Sequence, residues 1–257
     1  MFDLLYYCYF NINISEIGSL NVYCLFGFWN ILQYNKNGNK KKVNIDIHKM
    51  KNNKINNIKE YFVDLGLPSG LKWAKCNVGA TSETDYGNYY MWGSTEPNTA
   101  EECNWANAPF NNGSDRFEKK YFNAYKSEWL DDNDNLKPEY DAAYKATDGA
   151  ARMPTQDEIR ELLKNTSKQW ITDYNGTGVN GMKFTSKTDE TKYIFIPAAG
   201  YCDDGSVDGV GKYGLIWSSS LYTLSTHNAW NLFLMVVFCR MYDGNRYGGR
   251  SVRPVID

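Results

Sequence analysis

Trp217-Ser218-Ser219-Ser220 and Gly248-Gly249-Arg250-Ser251-Val252-Arg253-Pro254-Val255 bracket the stretch whose reading decides the fold. Between them, Leu224 to Asp243 follows no clean side-chain period. It opens on polar Ser225-Thr226-His227-Asn228, runs through Phe233-Leu234-Met235-Val236-Val237-Phe238-Cys239, and ends in Arg240-Met241-Tyr242-Asp243-Gly244. A half-buried strand alternates apolar and polar residues, whereas a fully buried one is a short apolar run between turn signals. The apolar run fits the buried strand. It fits equally a solvent-facing surface composed for contact with a partner.

Working outward, Tyr61 to Trp73 reads as strand, tight Pro68-Ser69-Gly70 turn, strand. Cys76–Ala80 and Tyr86–Gly93 read as further short strands between glycines, and Phe117–Leu130 as a short helix within a polar, irregular region. Pro138 opens a second helical segment toward Tyr144. Thr155 and Glu158 make a capping box, with Ile159, Leu162 and Leu163 as one apolar stripe. Trp170-Ile171, Val179–Ser186 and Tyr193–Tyr201 read as strands. Short helices amid many short strands predict an α+β domain over residues 61–257, and no internal repeat is visible.

Residues 1–60 are a different object. They hold eight Lys, no Arg and four acids, about +4, whereas residues 61–257 hold 20 basic and 26 acidic groups, about −6. The apolar part, residues 1–34, has no basic residue before Lys36 and is broken by Asn13, Ser15, Glu16 and Asn21. It matches neither a secretory signal nor a membrane-spanning helix. Residues 35–60 are almost entirely Asn, Lys and Ile, which predicts a disordered or linker segment. A/T-rich DNA encodes this composition by default, so much of residues 1–49 is read as upstream sequence, with Met50 as the start. The overall charge of −2 gives no reason to expect a nucleic-acid partner. Twenty Tyr, eight Trp and 21 Gly point to loop-rich packing and adaptable contact surfaces.

Six blocks carry a resemblance: Val63–Ala74, Trp92-Gly93-Ser94-Thr95-Glu96-Pro97, Arg152-Met153-Pro154-Thr155, Ile196-Pro197-Ala198-Ala199-Gly200, Trp217-Ser218-Ser219-Ser220 and Ser251-Val252-Arg253-Pro254-Val255. Together they resemble the Fibrobacter succinogenes major paralogous domain, in its order and across nearly all of 61–257. The resemblance implies a C-type-lectin-like fold with two short helices and several short antiparallel strands. It also implies kinship with formylglycine-generating enzymes and phage tropism determinants. Members occur in gut Bacteroidetes, Fibrobacteres and their phages, so a cell-surface, extracellular or phage-particle setting is expected. Some are variable proteins of diversity-generating retroelements, whose changed residues cluster between the last two blocks, here 221–250. The family usually has Gly, Ser or Asn around 236–238. Val236-Val237-Phe238 depart from that and would place an apolar patch at a tip.

Competing chemistries are thinly supported. Glu96-Pro97-Asn98 matches a calcium- and sugar-binding tripeptide of C-type lectins, but lies in the wrong half, and Trp230-Asn231 is followed by Leu232 rather than an acid. Asp131-Asp132-Asn133-Asp134-Asn135 lacks the glycine and closing glutamate of an EF-hand loop. Asp203–Asp208 reads as a solvated turn. Cys76, Cys103, Cys202 and Cys239 have no C-x-x-C spacing, so Cys76 and Cys202 are read as buried thiols and Cys239 as exposed. A Ser–His–Asp site would have to use His227, without a nucleophile elbow. Ser218–Ser220 are read as satisfying backbone groups, and Arg250 and Arg253 as hydrogen bonds pinning the last strand.

The expectation is therefore a recognition domain without catalytic residues, metal or cofactor, binding a protein or glycan. Its contact residues would be Asn228, Trp230, Asn231, Phe233, Met235, Phe238, Arg240, Tyr242, Asp243, Arg246 and Tyr247. Ala229, Leu232 and Leu234 should point inward, and Asn231, Phe233 and Met235 outward. The alternatives are a structural or adhesive surface module and, least favoured, a catalyst like the formylglycine-generating enzymes.

Overall fold

The computed structural model describes the backbone of residues 10–14, 18–25, 28–34 and 40–44 and all of residues 61–257. The chain divides into two units, Met1–Lys59 and Glu60–Asp257. In the first, β1 (Phe10–Ile14), β2 (Gly18–Leu25), β3 (Phe28–Tyr34) and β4 (Lys40–Asn44) pair antiparallel in sequence order. Residues 45–60, which hold Met50 and most of the tract read as a linker, lie outside the described residues.

The second unit begins with the expected hairpin. β5 (Phe62–Asp64) pairs with β6 (Lys72–Ala74), and the turn is closed by the Gly70 amide donating to the Leu67 carbonyl at 2.9 Å. β15 (Val255–Ile256) adds to the other edge of β6, so the two ends of this unit share one small sheet. Arg253 fixes that junction. Its guanidinium donates to Asn77 Oδ1 and to the Ala74 and Phe195 carbonyls at 2.9–3.1 Å, as the sequence suggested.

The short strands expected at 76–80 and 86–93 do not form; Tyr90 makes a single bridge to Arg250. Gly87 and Gly93 adopt φ of 71° and 90°, which turns the chain away from an extended path. Three α-helices follow among the described residues, one more than the two expected of the fold. α1 (Lys119–Trp129) lies within the 117–130 span. α2 (Ala142–Ala146) is capped by Asp141, whose side chain accepts from the Ala143 and Tyr144 amides. α3 (Gln156–Asn165) has both halves of the Thr155/Glu158 capping box and buries Ile159 and Leu162.

β7 (Thr166–Ile171), β8 (Gly181–Ser186) and β9 (Tyr193–Pro197) form an antiparallel sheet. β10 (Tyr201–Asp203) and β11 (Ser206–Asp208) form a hairpin, turned by Asp204 and Gly205 at positive φ. β12 (Tyr213–Leu221), β13 (Asn228–Met235) and β14 (Phe238–Asn245) make the last antiparallel sheet. The domain is thus mixed α and β, with few helices and several short antiparallel sheets, and no described helix is long and apolar enough to cross a membrane.

Two cores sandwich the last sheet. On one face, Ile216, Leu232 and Leu234 join Ile159 and Leu162 of α3 and Trp73, Phe184 and Ile194. On the other, Trp217, Leu221 and Ala229 join Trp92, Phe110, Phe122 and Trp129. Side chains alternate between faces along a strand, so the register decides which residue meets which core.

Candidate recognition face

The register places Tyr213 opposite Met235, Leu215 opposite Phe233, and Trp217 opposite Asn231. It then sets Met235 against Phe238, Phe233 against Arg240, and Asn231 against Tyr242. All these side chains share the face that carries Trp217. The aromatic core covers the Trp217 end of that face and stops short of the other end. There Tyr213, Phe233, Met235 and Phe238 are half-buried, and Arg240 and Tyr242 are exposed.

The rings of this open end touch chiefly one another. Phe233 is at its centre, with ring centroids 5.8 Å from Tyr213, 5.3 Å from Phe238 and 5.9 Å from Tyr242. The Arg240 guanidinium lies 4.7 Å from the Phe238 ring centre and 5.6 Å from that of Tyr242. Edge-to-face rings and an overlying cation are mutually favourable, so the cluster is stiff while still facing water.

The apolar run that opened the argument is neither one strand nor one surface. It is the end of β13, a two-residue turn and the start of β14. Val236 and Val237 form that turn at 64% and 73% exposure, and neither has positive φ. Two-residue hairpin turns more often hold Asn-Gly and its relatives, and a Val-Val tip leaves apolar surface in solvent.

Five of the eleven expected contact residues, Phe233, Met235, Phe238, Arg240 and Tyr242, are brought together here. The others are not. Asn231 was expected to face out but is fully buried, donating to the Tyr242 carbonyl at 3.0 Å, because the aromatic core reaches this far along the strand. Arg246 is also fully buried. Its Nε donates to the Thr226 carbonyl and its Nη1 to that of Pro109, within a box of Phe122, Phe117, Trp92 and Trp105. Burial without a carboxylate partner holds its guanidinium down to about 9.

Asn228, Trp230 and Asp243 lie on the opposite face, where Asn228 donates to Asp243 and the Arg160 guanidinium of α3 sits 5.2 Å from the Trp230 ring. Tyr247 is half-buried against Trp105. Tyr213 lies outside the 221–250 interval and was not anticipated. Its two-residue spacing from Leu215 and Trp217 was the available signal.

The remaining candidates have structural employment. Ser218 Oγ donates to the Trp230 carbonyl, Ser220 Oγ to Asn135 Oδ1, and the Gln156 amide at the start of α3 donates to Ser220 Oγ. Asn98 Oδ1 accepts from the Met91 amide and Asp131 Oδ1 from those of Asn133 and Asn135. His227 Nδ1 lies 2.9 Å from the hydroxyl of Ser225, a contact within one turn. Among the described residues no three His, Cys, Asp or Glu side chains gather as metal ligands.

Two further readings need correcting. Cys239, expected to be exposed, packs against the α3-side core, and burial pushes its thiol up to about 12. Arg250 was expected to be pinned by hydrogen bonds. Instead it lies 4.0 Å over the Trp217 ring with Nε and Nη1 unpartnered. Gly244 leaves it that room, since a Cβ there would overlap the guanidinium.

Comparison with protein-family models, with curated proteins and with solved structures finds no match for this chain.

Proposed function

We propose that residues 61–257 are a C-type-lectin-like recognition domain of the Fibrobacter succinogenes major paralogous type, displayed at a cell surface or on a phage particle, which binds a partner and performs no catalysis. Its binding face is the open end of the β12–β13–β14 sheet. The observation that carries this reading is the cluster of half-buried Phe233 and Phe238 with exposed Tyr242 and Arg240, next to the bare Val236-Val237 tip. Rigid aromatic side chains with an adjacent arginine are the typical energetic centres of interfaces. The apolar tip favours a protein partner over a glycan, because neither valine side chain can hydrogen-bond sugar hydroxyls.

The resemblance adds that 221–250 is rewritten in diversified relatives, and the same strands carry most of this face. A reverse transcriptase gene beside the coding region, with an adenine-rich copy of the 217–255 segment, would support diversification. Their absence would favour a fixed surface module.

The direct test is a displayed-peptide and glycan-array screen with the full chain, followed by Phe233→Ala, Phe238→Ala and Tyr242→Ala in one chain. Binding is expected to fall at least about 100-fold, since each aromatic anchor contributes on the order of 1–2 kcal/mol, while the chain still unfolds in one cooperative step. Loss of that cooperative step would place these rings in the core and refute the reading.

A further inference from the structure

Cys103 and Cys202 are nearly a hundred positions apart, yet meet in a small core with Met91 and Ala108, ringed by Tyr89, Trp105 and Tyr247. Both are buried free thiols, and Cys103 Sγ donates to the Thr99 carbonyl at 3.2 Å. Gly249 sits against both: a Cβ there would come within 2.7 Å of Cys103 Sγ and 2.9 Å of Cys202 Cβ.

The backbone on either side is already tied. Cys202 and Gly249 exchange backbone hydrogen bonds at 2.7 and 2.9 Å, the Asp204 amide donates to the Cys103 carbonyl at 3.1 Å, and the Gly205 amide donates to that of Ala100 at 3.0 Å. Closing a disulfide costs strain when the chain must move to reach bonding geometry. Here the segments are held together before any bond exists.

We propose that Cys103 and Cys202 form a disulfide by exchange with a small-molecule disulfide such as oxidised glutathione, locking the 99–108 loop onto the β10–β11 hairpin. This does not rest on the recognition reading. Either order of attack gives the same product; in one, Cys202 leads. Its thiolate attacks one glutathione sulfur, forming a mixed disulfide and releasing one glutathione thiolate. Cys103, giving up its proton, then attacks the Cys202 sulfur of the mixed disulfide. The protein disulfide forms and the second glutathione leaves. The two protons lost by the cysteines end on the two glutathione thiols, so two electrons pass from the protein to glutathione. The sulfurs are sealed in the folded chain, so exchange takes place as the chain folds or when the loop lifts.

The test refolds the full chain in buffers of oxidised or reduced glutathione, then alkylates free thiols and maps the peptides. The expected result in the oxidised sample is a linked peptide pair, with fragment ions placing the link on Cys103 and Cys202, and a mass lower by two hydrogens. A loop of roughly 100 residues closed in this way should raise the melting temperature by on the order of 10 °C over the reduced chain. That difference should vanish in Cys103→Ser and Cys202→Ser. Recovery of both cysteines fully alkylated from the oxidised sample would overturn the proposal, as would a link made to Cys76 or Cys239 instead. The mapping on the unsubstituted chain decides the matter even where a serine variant does not fold.

Discussion

Replacing Arg246 separates a ligand contact from a structural post. As a contact it could be removed with little effect on stability. The structure says otherwise. Its guanidinium is fully buried 4.3 Å from the Phe122 ring centre, 5.3 Å from that of Phe117, and 5.7 Å from those of Trp92 and Trp105. It donates to the Thr226 carbonyl at 3.0 Å and the Pro109 carbonyl at 3.2 Å, while Nη2 has no partner. Arg246→Ala would strand both carbonyls, at about 1–3 kcal/mol each, and open a void among the rings. The desolvation cost that depresses its pKa to about 9 would be recovered, which offsets part of this. The net expectation is a loss of about 4 kcal/mol, or about 8–16 °C in melting temperature for a domain of this size. Arg246→Met keeps the volume and sheds the charge, so its loss should be about half as large.

The pH profile gives an independent sign. Folding holds this guanidinium below its ordinary value, so above pH 9 the folded chain releases a proton that the unfolded chain still keeps. Stability therefore gains from this residue as pH rises through 9 toward the ordinary guanidinium range, and carries the full desolvation cost at neutral pH. Arg246→Met should lose that alkaline gain. The assay is urea unfolding of both variants at neutral and alkaline pH beside the unsubstituted chain. A loss below about 1 kcal/mol for Arg246→Ala, with impaired partner binding, would refute the assignment.

Arg152 grips both oxygens of Glu158 at 2.7–2.8 Å and also reaches Asp257. Burial pushes the Glu158 carboxyl up, but the Arg152 guanidinium and the Thr155 amide hold it below its usual value. Its stabilisation is thus present above the ordinary glutamate pKa and is lost as pH falls through the lower folded value. Arg152→Ala should cost about 2 kcal/mol at neutral pH and remove part of the acid sensitivity, read by melting at neutral and acidic pH. Val236→Asn with Val237→Gly removes the apolar tip, and since neither position has positive φ the existing turn gains nothing from Asn-Gly, so stability should change by less than about 1 kcal/mol. Partner binding or self-association, followed by sedimentation, should weaken in the same chain.

What was legible in the sequence was local. The Pro68-Ser69-Gly70 turn and the Thr155/Glu158 box each carry their signal within a few residues, and both formed as read. The Val236-Val237 turn was not legible as a turn because it holds no turn residue. It is imposed by the pairing of β13 with β14, in which Met235 meets Phe238. Arg246 and Asn231 were misplaced for a different reason. Arg246 is buried by Trp92, Trp105, Phe117 and Phe122, brought over the sheet from more than a hundred positions upstream, and Asn231 by its register opposite Trp217. A polar residue amid aromatics reads from sequence as a contact surface, whether the rings lie beside it or on top of it.

That same division lets one sheet hold both a packed framework and an open surface. Along β13, Ala229, Asn231, Leu232 and Leu234 are buried, committed to one core or the other through packing or a backbone hydrogen bond. Phe233 and Met235 alternate with them on the same strand but look past the edge of the aromatic core, and the register sets Arg240 and Phe238 beside them. A change at a committed position is felt by side chains from several elements, and costs several kcal/mol in a close-packed interior. A change at Phe238, Arg240 or Tyr242 is felt chiefly by others of the same cluster. The strand pairing therefore needs no particular residue at the displayed positions, so the surface can vary in composition without moving the scaffold that holds it.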